Sequence, residues 1–194
     1  MFSVTWMGKR LTVAALAVAV LVSAAVLAGC SLLPFGRPSG ETGEVPVDPG
    51  PGEGEIVVRL YFGDKEAMWL LPEDRTVKAD PNKTYEQIVV EQLIAGPRLE
   101  GHVRTIPEGV QLLSLEIVEG VAYVNFSKEI QTKHWGGSTG EMFTILSVVD
   151  SLTESPNVKA VQFLVEGKRV ESLVGHADTT KPIERNEDII KKGD

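Results

Sequence analysis

The feature that most limits how this chain can fold is an apolar run over residues 11–27, which ends just before the only cysteine. Lys9 and Arg10 precede the run, and Leu27-Ala28-Gly29-Cys30 closes it with small residues. This order is typical of a bacterial lipoprotein, in which the lipidated cysteine becomes the first residue after cleavage. We therefore expect residues 1–29 to be a signal peptide and Cys30 to carry lipid. A plain secretory signal and an uncleaved membrane helix are the alternatives, and both leave the cysteine unexplained.

A lipid anchor would hold the protein on the extracytoplasmic face of the cell membrane. The chain has 194 residues and a formal net charge of -8, and loss of the signal peptide removes Lys9 and Arg10 as well. This acidic balance argues against nucleic acid as a partner. With Cys30 lipidated, no thiol remains for a disulfide or a metal, so the fold must rest on its hydrophobic core.

The rest of the chain divides by composition into three segments. Residues 30–54 alternate proline and glycine, which predicts a flexible tether with a reach of roughly 25 to 30 Å. Residues 55–185 are enough for one domain with its own core. Residues 186–194 are mostly polar and predict a loose or marginally helical C-terminal tail.

Within the domain, β-type runs alternate with two segments of helical periodicity. The clearest hairpin joins residues 110–118 and 121–126 through Glu119-Gly120, because glycine accepts a positive φ. Ser138 and Glu141 match a capping box that would start the second helix. The predicted elements are strands at 56–62, 68–71, 75–78, 110–118, 121–126, 158–165 and 168–170, and helices at 80–95 and 139–152. This order predicts an α+β fold, a mostly antiparallel sheet with two helices packed on one face.

Several motifs in this order resemble those of the GerMN domain family. They are Leu60-Tyr61-Phe62, Leu93-Ile94-Ala95-Gly96-Pro97, Ile106-Pro107-Glu108-Gly109-Val110, Glu119-Gly120-Val121-Ala122-Tyr123-Val124-Asn125-Phe126 and Val161-Gln162-Phe163-Leu164-Val165-Glu166-Gly167. The resemblance runs over residues 57–183 and leaves room for one such domain, whereas the founding sporulation protein carries two. It implies a non-enzymatic, protein-binding module of membrane-tethered lipoproteins, similar to ring-building modules of envelope assemblies. In endospore formers, it points to sporulation or germination.

Two patterns raise the alternative of chemistry or ligand binding. Gly136-Gly137-Ser138-Thr139-Gly140 satisfies G-x-S-x-G, and Asp150 and His176 follow in the chain order of a hydrolase triad. No predicted strand ends at the first glycine, and helix capping is a sufficient role for Ser138, so we expect no enzyme. The amides of Gly136, Gly137, Ser138 and Thr139 form a candidate anion site at a helix start, although no lysine follows as in a Walker loop.

The histidines and tryptophans complete the candidate site residues. His102, His134 and His176 lack the spacing that metal ligands favour, so we expect neither a metal nor a cofactor. Trp135 is the strongest candidate for a partner contact, and Arg104 and the adjacent His134 complete the predicted interaction surface. Trp135 would equally serve as a lid over the sheet edge. Trp69 is expected in the core or on a sheet face.

Together with the lipoprotein signal, the resemblance implies a module that binds or organises envelope proteins, either alone or as an oligomer. A ligand-binding module for cell-wall fragments or a small anion is the alternative. A serine hydrolase that uses Ser138 ranks third.

Overall fold

The protein is described by a computed structural model over residues 54–192. The predicted signal peptide, Cys30 and nearly all of the tether lie outside these residues, so the structure does not test them. Within the described range, no helix has the length and apolar character needed to cross a membrane.

The described chain begins with a long antiparallel hairpin. Strand β1, Glu55–Gly63, pairs along its whole length with β2, Leu70–Lys78. The sequence predicted two short strands in place of β2. Pro72 does not interrupt the strand, because β2 is an edge of a two-stranded sheet and a proline there removes no required ladder bond.

Helix α1, Tyr85–Ala95, begins later than the sequence predicted because its capping box lies at Thr84 and Gln87. The Thr84 hydroxyl accepts from the amide of Gln87, and the Gln87 side chain accepts from the amide of Thr84. The helix ends at Gly96, whose φ of +88° suits glycine, and where a Cβ would collide with Arg104.

A second, mixed sheet holds the remaining strands. The predicted hairpin is confirmed as β3, Leu112–Val118, and β4, Val121–Phe126, with positive φ at both Glu119 and Gly120. Strand β5, Ala160–Val165, runs parallel to β4. It also pairs antiparallel with β6, Lys168–Arg169, and with β7, Ile183–Glu184, a short strand that the sequence did not predict.

Two helices lie between β4 and β5 in the chain. They are the short α2, Glu129–Thr132, and the long α3, Ser138–Leu152. Helix α3 is nearly all buried because it packs against β1 and β5, and α1 packs beside it.

The core between the helices and the strands is aliphatic and aromatic, with Leu60, Phe62, Phe126, Val149 and Phe163 almost fully buried. The α+β prediction is confirmed, with most strand pairs antiparallel, although the strands form two sheets rather than one.

The predicted capping box of α3 is wrong. The N-cap is Gly137, and among the described residues no side chain caps the helix start. Glu141 instead points inward and is fully buried, where its carboxylate accepts from the Ser172 hydroxyl at 2.5 Å and from the amides of Val174 at 2.9 Å and His176 at 2.7 Å. Glu141 therefore holds the loop of residues 172–177 onto α3.

Candidate functional site

Both tryptophans of the described chain are exposed, Trp69 in the turn between β1 and β2 and Trp135 in a groove that residues of this turn also line. We call this surface the tryptophan face and define it by Met68, Trp69, Val103 and Trp135, whose exposed fractions are 62, 38, 42 and 53%. Val103 is tied to the start of the turn by backbone hydrogen bonds with Gly63. Clustered exposed apolar side chains of this size mark interaction sites more often than single ones do.

The turn that carries Met68 and Trp69 is held by the carboxylate of Asp64. One oxygen of Asp64 accepts from the amides of Met68 at 2.7 Å and Trp69 at 3.0 Å, and the Asp64 amide donates to the Trp69 carbonyl. Ala67 adopts a φ of +53°, which a side chain rarely tolerates and which the surrounding hydrogen bonds maintain. The backbone that carries both side chains is therefore held in one geometry.

A buried ion pair fixes the loop on the other side of the face. Arg75 and Glu73 lie 2.6 Å apart with side chains almost fully buried, and Arg75 also donates to the Gly96 carbonyl. Glu73 accepts from the amides of Arg98 and Leu99. Burial opposes ionisation of Glu73, but the hydrogen bonds from Arg75 and from these amides hold its pKa below the usual value. The loop that leads to Val103 is thus anchored at its beginning.

His134 fixes the position of Trp135. Its Nδ1 accepts from the amide of Gly136 at 2.9 Å, and its Nε2 donates to the Thr144 hydroxyl at 3.0 Å, which in turn donates to the Thr105 carbonyl at 2.5 Å. Burial lowers the pKa of His134, so the ring is neutral near pH 7. The indole of Trp135 stacks on this ring, with centroids 4.9 Å apart. His134 supports the tryptophan face from below.

A groove of about 260 Å³ opens beside Trp135 and joins several of the predicted residues. Its wall includes Arg104 and Thr139 from the prediction, together with Asp64, Ala67, Val103, Thr105 and Phe143. Arg104 has a structural task there, because its guanidinium donates to the carbonyls of Ile94 and Ala95 at the end of α1. The hydroxyl of Thr105 is buried and has no partner among the described residues.

The structure does not assemble the hydrolase triad. Ser138 is exposed at the start of α3, whereas Asp150 is fully buried and accepts from the amide of Asn186. The ring of His176 lies 3.4 Å from Glu141. Among the residues that the structure describes, no hydrogen bond joins any two of the three.

The sequence predicted no metal site and one candidate anion site. Across residues 54–192, no group of three His, Cys, Asp or Glu side chains comes close enough to hold a metal ion. At the start of α3, Gly136 and Gly137 have φ near +80°, but the Gly136 amide is already donated to His134. Ser138 and Thr139 remain exposed, and the anion site stays a prediction.

Sequence reasoning missed Met68 and Trp69 because it assigned them to a strand. The signal that was available is Asp64 four and five residues earlier, a residue that often accepts from amides of a turn. It also missed the inward role of Glu141. For that residue the sequence carries no local signal, because its partners lie about thirty residues later in the chain.

Comparison with known proteins relates this fold to a family. Residues 59–171 match the family described as "Germane: Sporulation and spore germination". The crystal structure of a "Putative Lipoprotein from Clostridium perfringens" is 30% identical and covers 71% of this chain and 93% of its own, with a TM-score of 0.50. No curated protein matches the chain.

Two structures from Bacillus subtilis show the same fold at lower identity. The tandem GerMN domains of the sporulation protein GerM are 23% identical, with a TM-score of 0.56, over 78% of this chain and 51% of theirs. The first GerMN domain alone is 20% identical, with a TM-score of 0.55, over 67% of this chain and 98% of its own. The chain thus spans about half of the tandem structure and nearly all of one domain. Since the family match covers more than half of its residues, the chain belongs to the Germane family of sporulation and spore germination domains.

Proposed function

We propose that this protein is a lipid-anchored, extracytoplasmic lipoprotein whose tryptophan face binds another envelope protein without catalysis. The family description and the Clostridium perfringens relative support a lipoprotein of sporulation or germination type. The observation that carries the proposal is the exposure of Trp69 in the turn between β1 and β2 and of Trp135 in the groove that this turn lines. Tryptophan and methionine are enriched at protein interfaces, and tryptophan is among the residues that most often carry the binding energy.

The preformed geometry of the face supports a protein partner. Asp64, the Glu73–Arg75 pair and His134 each fix one side of it by hydrogen bonds. A rigid apolar surface loses little conformational entropy on binding, so most of its buried area contributes to affinity. Gly54 lies at the opposite end of β1 from this face, which leaves the face clear of the point where the tether enters the domain.

The size of the groove suggests what the partner inserts. Sites for small molecules usually enclose about 300 to 1,000 Å³, whereas this groove measures about 260 Å³ and is open to solvent. Its wall is mostly apolar, with Trp135 and Phe143 as the large surfaces. One large apolar side chain of a partner protein fits this space better than a cofactor or a whole metabolite does.

The test is affinity purification from gently solubilised membranes after crosslinking. We expect a stoichiometric envelope protein with the wild type, at least tenfold less of it with Trp135→Ala or Trp69→Ala, and none with Cys30→Ala. Leu113→Ala is the matched control, because Leu113 is also an exposed apolar residue but lies on β3. Equal recovery with both tryptophan variants would overturn the assignment of the face.

The alternative is a small ligand in the same groove. The unpartnered hydroxyl of Thr105 lies in its wall, and Thr139 and Gly140 bring the start of α3 to its edge. A ligand at this site predicts a rise in Tm with cell-wall fragments or phosphate that Trp135→Ala or Thr139→Val abolishes. If no ligand raises Tm and the partner is recovered, the protein-binding function stands alone.

A further inference from the structure

The C-terminal part of the domain, residues 183–190, forms a strap that crosses from one sheet to the other. Its start, β7, pairs with β5. Its end pairs Ile190 with Leu70 at the beginning of β2, and the Lys191 amide donates to the Leu70 carbonyl at 2.9 Å. Between these ends, the Asn186 amide donates to the carboxylate of Asp150 on α3 at 3.0 Å. The docked strap therefore covers Asp150.

Burial of the Asp150 carboxylate is energetically unfavourable. Asp150 is fully buried, one of its carboxylate oxygens accepts from Asn186, and the other oxygen has no partner within residues 54–192. Arg185 is close, but its hydrogen bond is to the backbone carbonyl of Asp150, at 2.7 Å, and not to the carboxylate. An ionised carboxylate with an unsatisfied oxygen is costly in such a site, and a protonated one is much less so.

The charged groups around Asp150 do not remove this cost. The guanidinium of Arg185 is shared with Glu154, Tyr61 and Glu187, and its positive charge favours the ionised form of Asp150, whereas Glu154 and Glu187 oppose it. On the α1 side, Glu86 is bonded to the hydroxyl of Ser155. Burial outweighs the hydrogen bond from Asn186 and the charge of Arg185, and raises the pKa of Asp150 to about 6.

We propose that the strap is a proton-dependent latch, in which a proton on Asp150 tightens docking against α3 and loss of that proton loosens it. The sign follows from burial. When the strap leaves, water reaches the carboxylate and its pKa returns towards the ordinary value near 3.9. The docked form therefore binds the proton more strongly than the released form, and docking weakens as pH rises through about 6.

The end of the strap lies close to Trp69, which belongs to the tryptophan face. A cleft of about 410 Å³ lies between Trp69 and the end of the strap, and its wall includes Glu187, Asp188, Ile190, Lys191 and Lys192. Release of the strap would remove that wall and change the surroundings of Trp69. If the proposed function is correct, on which this step rests, partner binding at Trp69 differs between mild acid and neutral pH.

The test is hydrogen exchange of the full chain in detergent between pH 5 and pH 8, corrected for the intrinsic pH dependence of exchange. The reporters are the amides of Asn186, Ile190 and Lys191. Linkage predicts that their protection falls about tenfold over this range in the wild type and stays flat in Asp150→Asn, which cannot ionise. Amides of α1 serve as an internal reference. Flat wild-type protection, or the same slope in the variant, would overturn the latch.

A second variant keeps the test decisive if Asp150→Asn does not fold. Glu187 is mostly exposed and its charge raises the pKa of Asp150. Glu187→Gln should therefore move the midpoint of the strap transition to lower pH, and an unchanged or higher midpoint contradicts the proposal. Partner recovery at pH 5.5 and 7.5 separates the latch from the partner-binding function. If the strap depends on pH but no partner is recovered, the latch stands and the binding function fails. If wild type and Asp150→Asn recover the partner equally at both pH values, the latch does not regulate binding.

Discussion

The indole of Trp135 lies directly over Gly140 in the first turn of α3, so closely that a Cβ at position 140 would stand 2.6 Å from its Nε1. Gly140 therefore allows the tryptophan to rest on the helix while its outer surface stays exposed. We predict that Gly140→Ala displaces the indole and lowers partner recovery as much as Trp135→Ala does, although alanine favours the helix by up to about 1 kcal/mol. Near-ultraviolet circular dichroism would report the displacement.

The neighbouring Ser138→Ala is the control for that change. If it also altered the dichroism of Trp135, the effect of Gly140→Ala could not be assigned to the contact with the indole.

The helix caps predict that Thr84 contributes more than Ser138 to the free energy of unfolding. Thr84→Ala removes the side-chain cap of α1 and should lower the free energy of unfolding by about 1 kcal/mol. Ser138→Ala should change it by less than about 0.5 kcal/mol, because Ser138 is exposed and caps nothing in the described structure. Urea unfolding of both variants measures the difference. A loss at Ser138 comparable to that at Thr84 would restore the capping role that the sequence predicted.

The buried and the exposed ion pair of the β1–β2 hairpin should differ strongly in their contribution to the free energy of unfolding. Arg75→Met leaves Glu73 charged and buried, so we expect a loss of about 3 to 5 kcal/mol. Arg59→Met is the matched control, since the side chains of Arg59 and Asp74 are 49 and 50% exposed and such pairs contribute about 0 to 1 kcal/mol. Chemical denaturation measures both. Similar losses at the two sites would contradict the anchoring role given to the buried pair.

Glu141 predicts that stability falls in acid. Burial raises the pKa of its carboxyl, but the hydrogen bonds from Ser172 and from the amides of Val174 and His176 lower it by more. The pKa of Glu141 therefore lies below its ordinary value of 4.5. Its stabilising contribution is complete above about pH 4.5 and is lost as pH falls through the lowered native value. Tm measured from pH 6 to pH 2 should drop for the wild type.

In Glu141→Gln, Tm should start lower at pH 6 and decline less over the same range, because glutamine cannot ionise. A variant that followed the wild-type curve would show that another carboxylate causes the acid sensitivity.

The sequence by itself determined the α+β class, the family, the β3–β4 hairpin and the approximate range of both long helices. These depend on local signals: glycine where φ must be positive, apolar residues at helical spacing, and motifs read in order along the chain. It also singled out Trp135 and Arg104, which do line one groove. The lipidated Cys30 stays a prediction from the same kind of local pattern.

Only the tertiary structure decided that the strands form two sheets, that Trp69 is exposed, and that Glu141 and Asp150 are turned into the interior. Glu141 meets its partners more than thirty residues away, and the loop that Glu73 holds lies twenty-five residues later. When only neighbouring residues are considered, a glutamate three positions after a serine at a helix start indicates a capping box. Once the loop of residues 172–177 packs against α3, its free amides need an acceptor, and the carboxylate of Glu141 satisfies them.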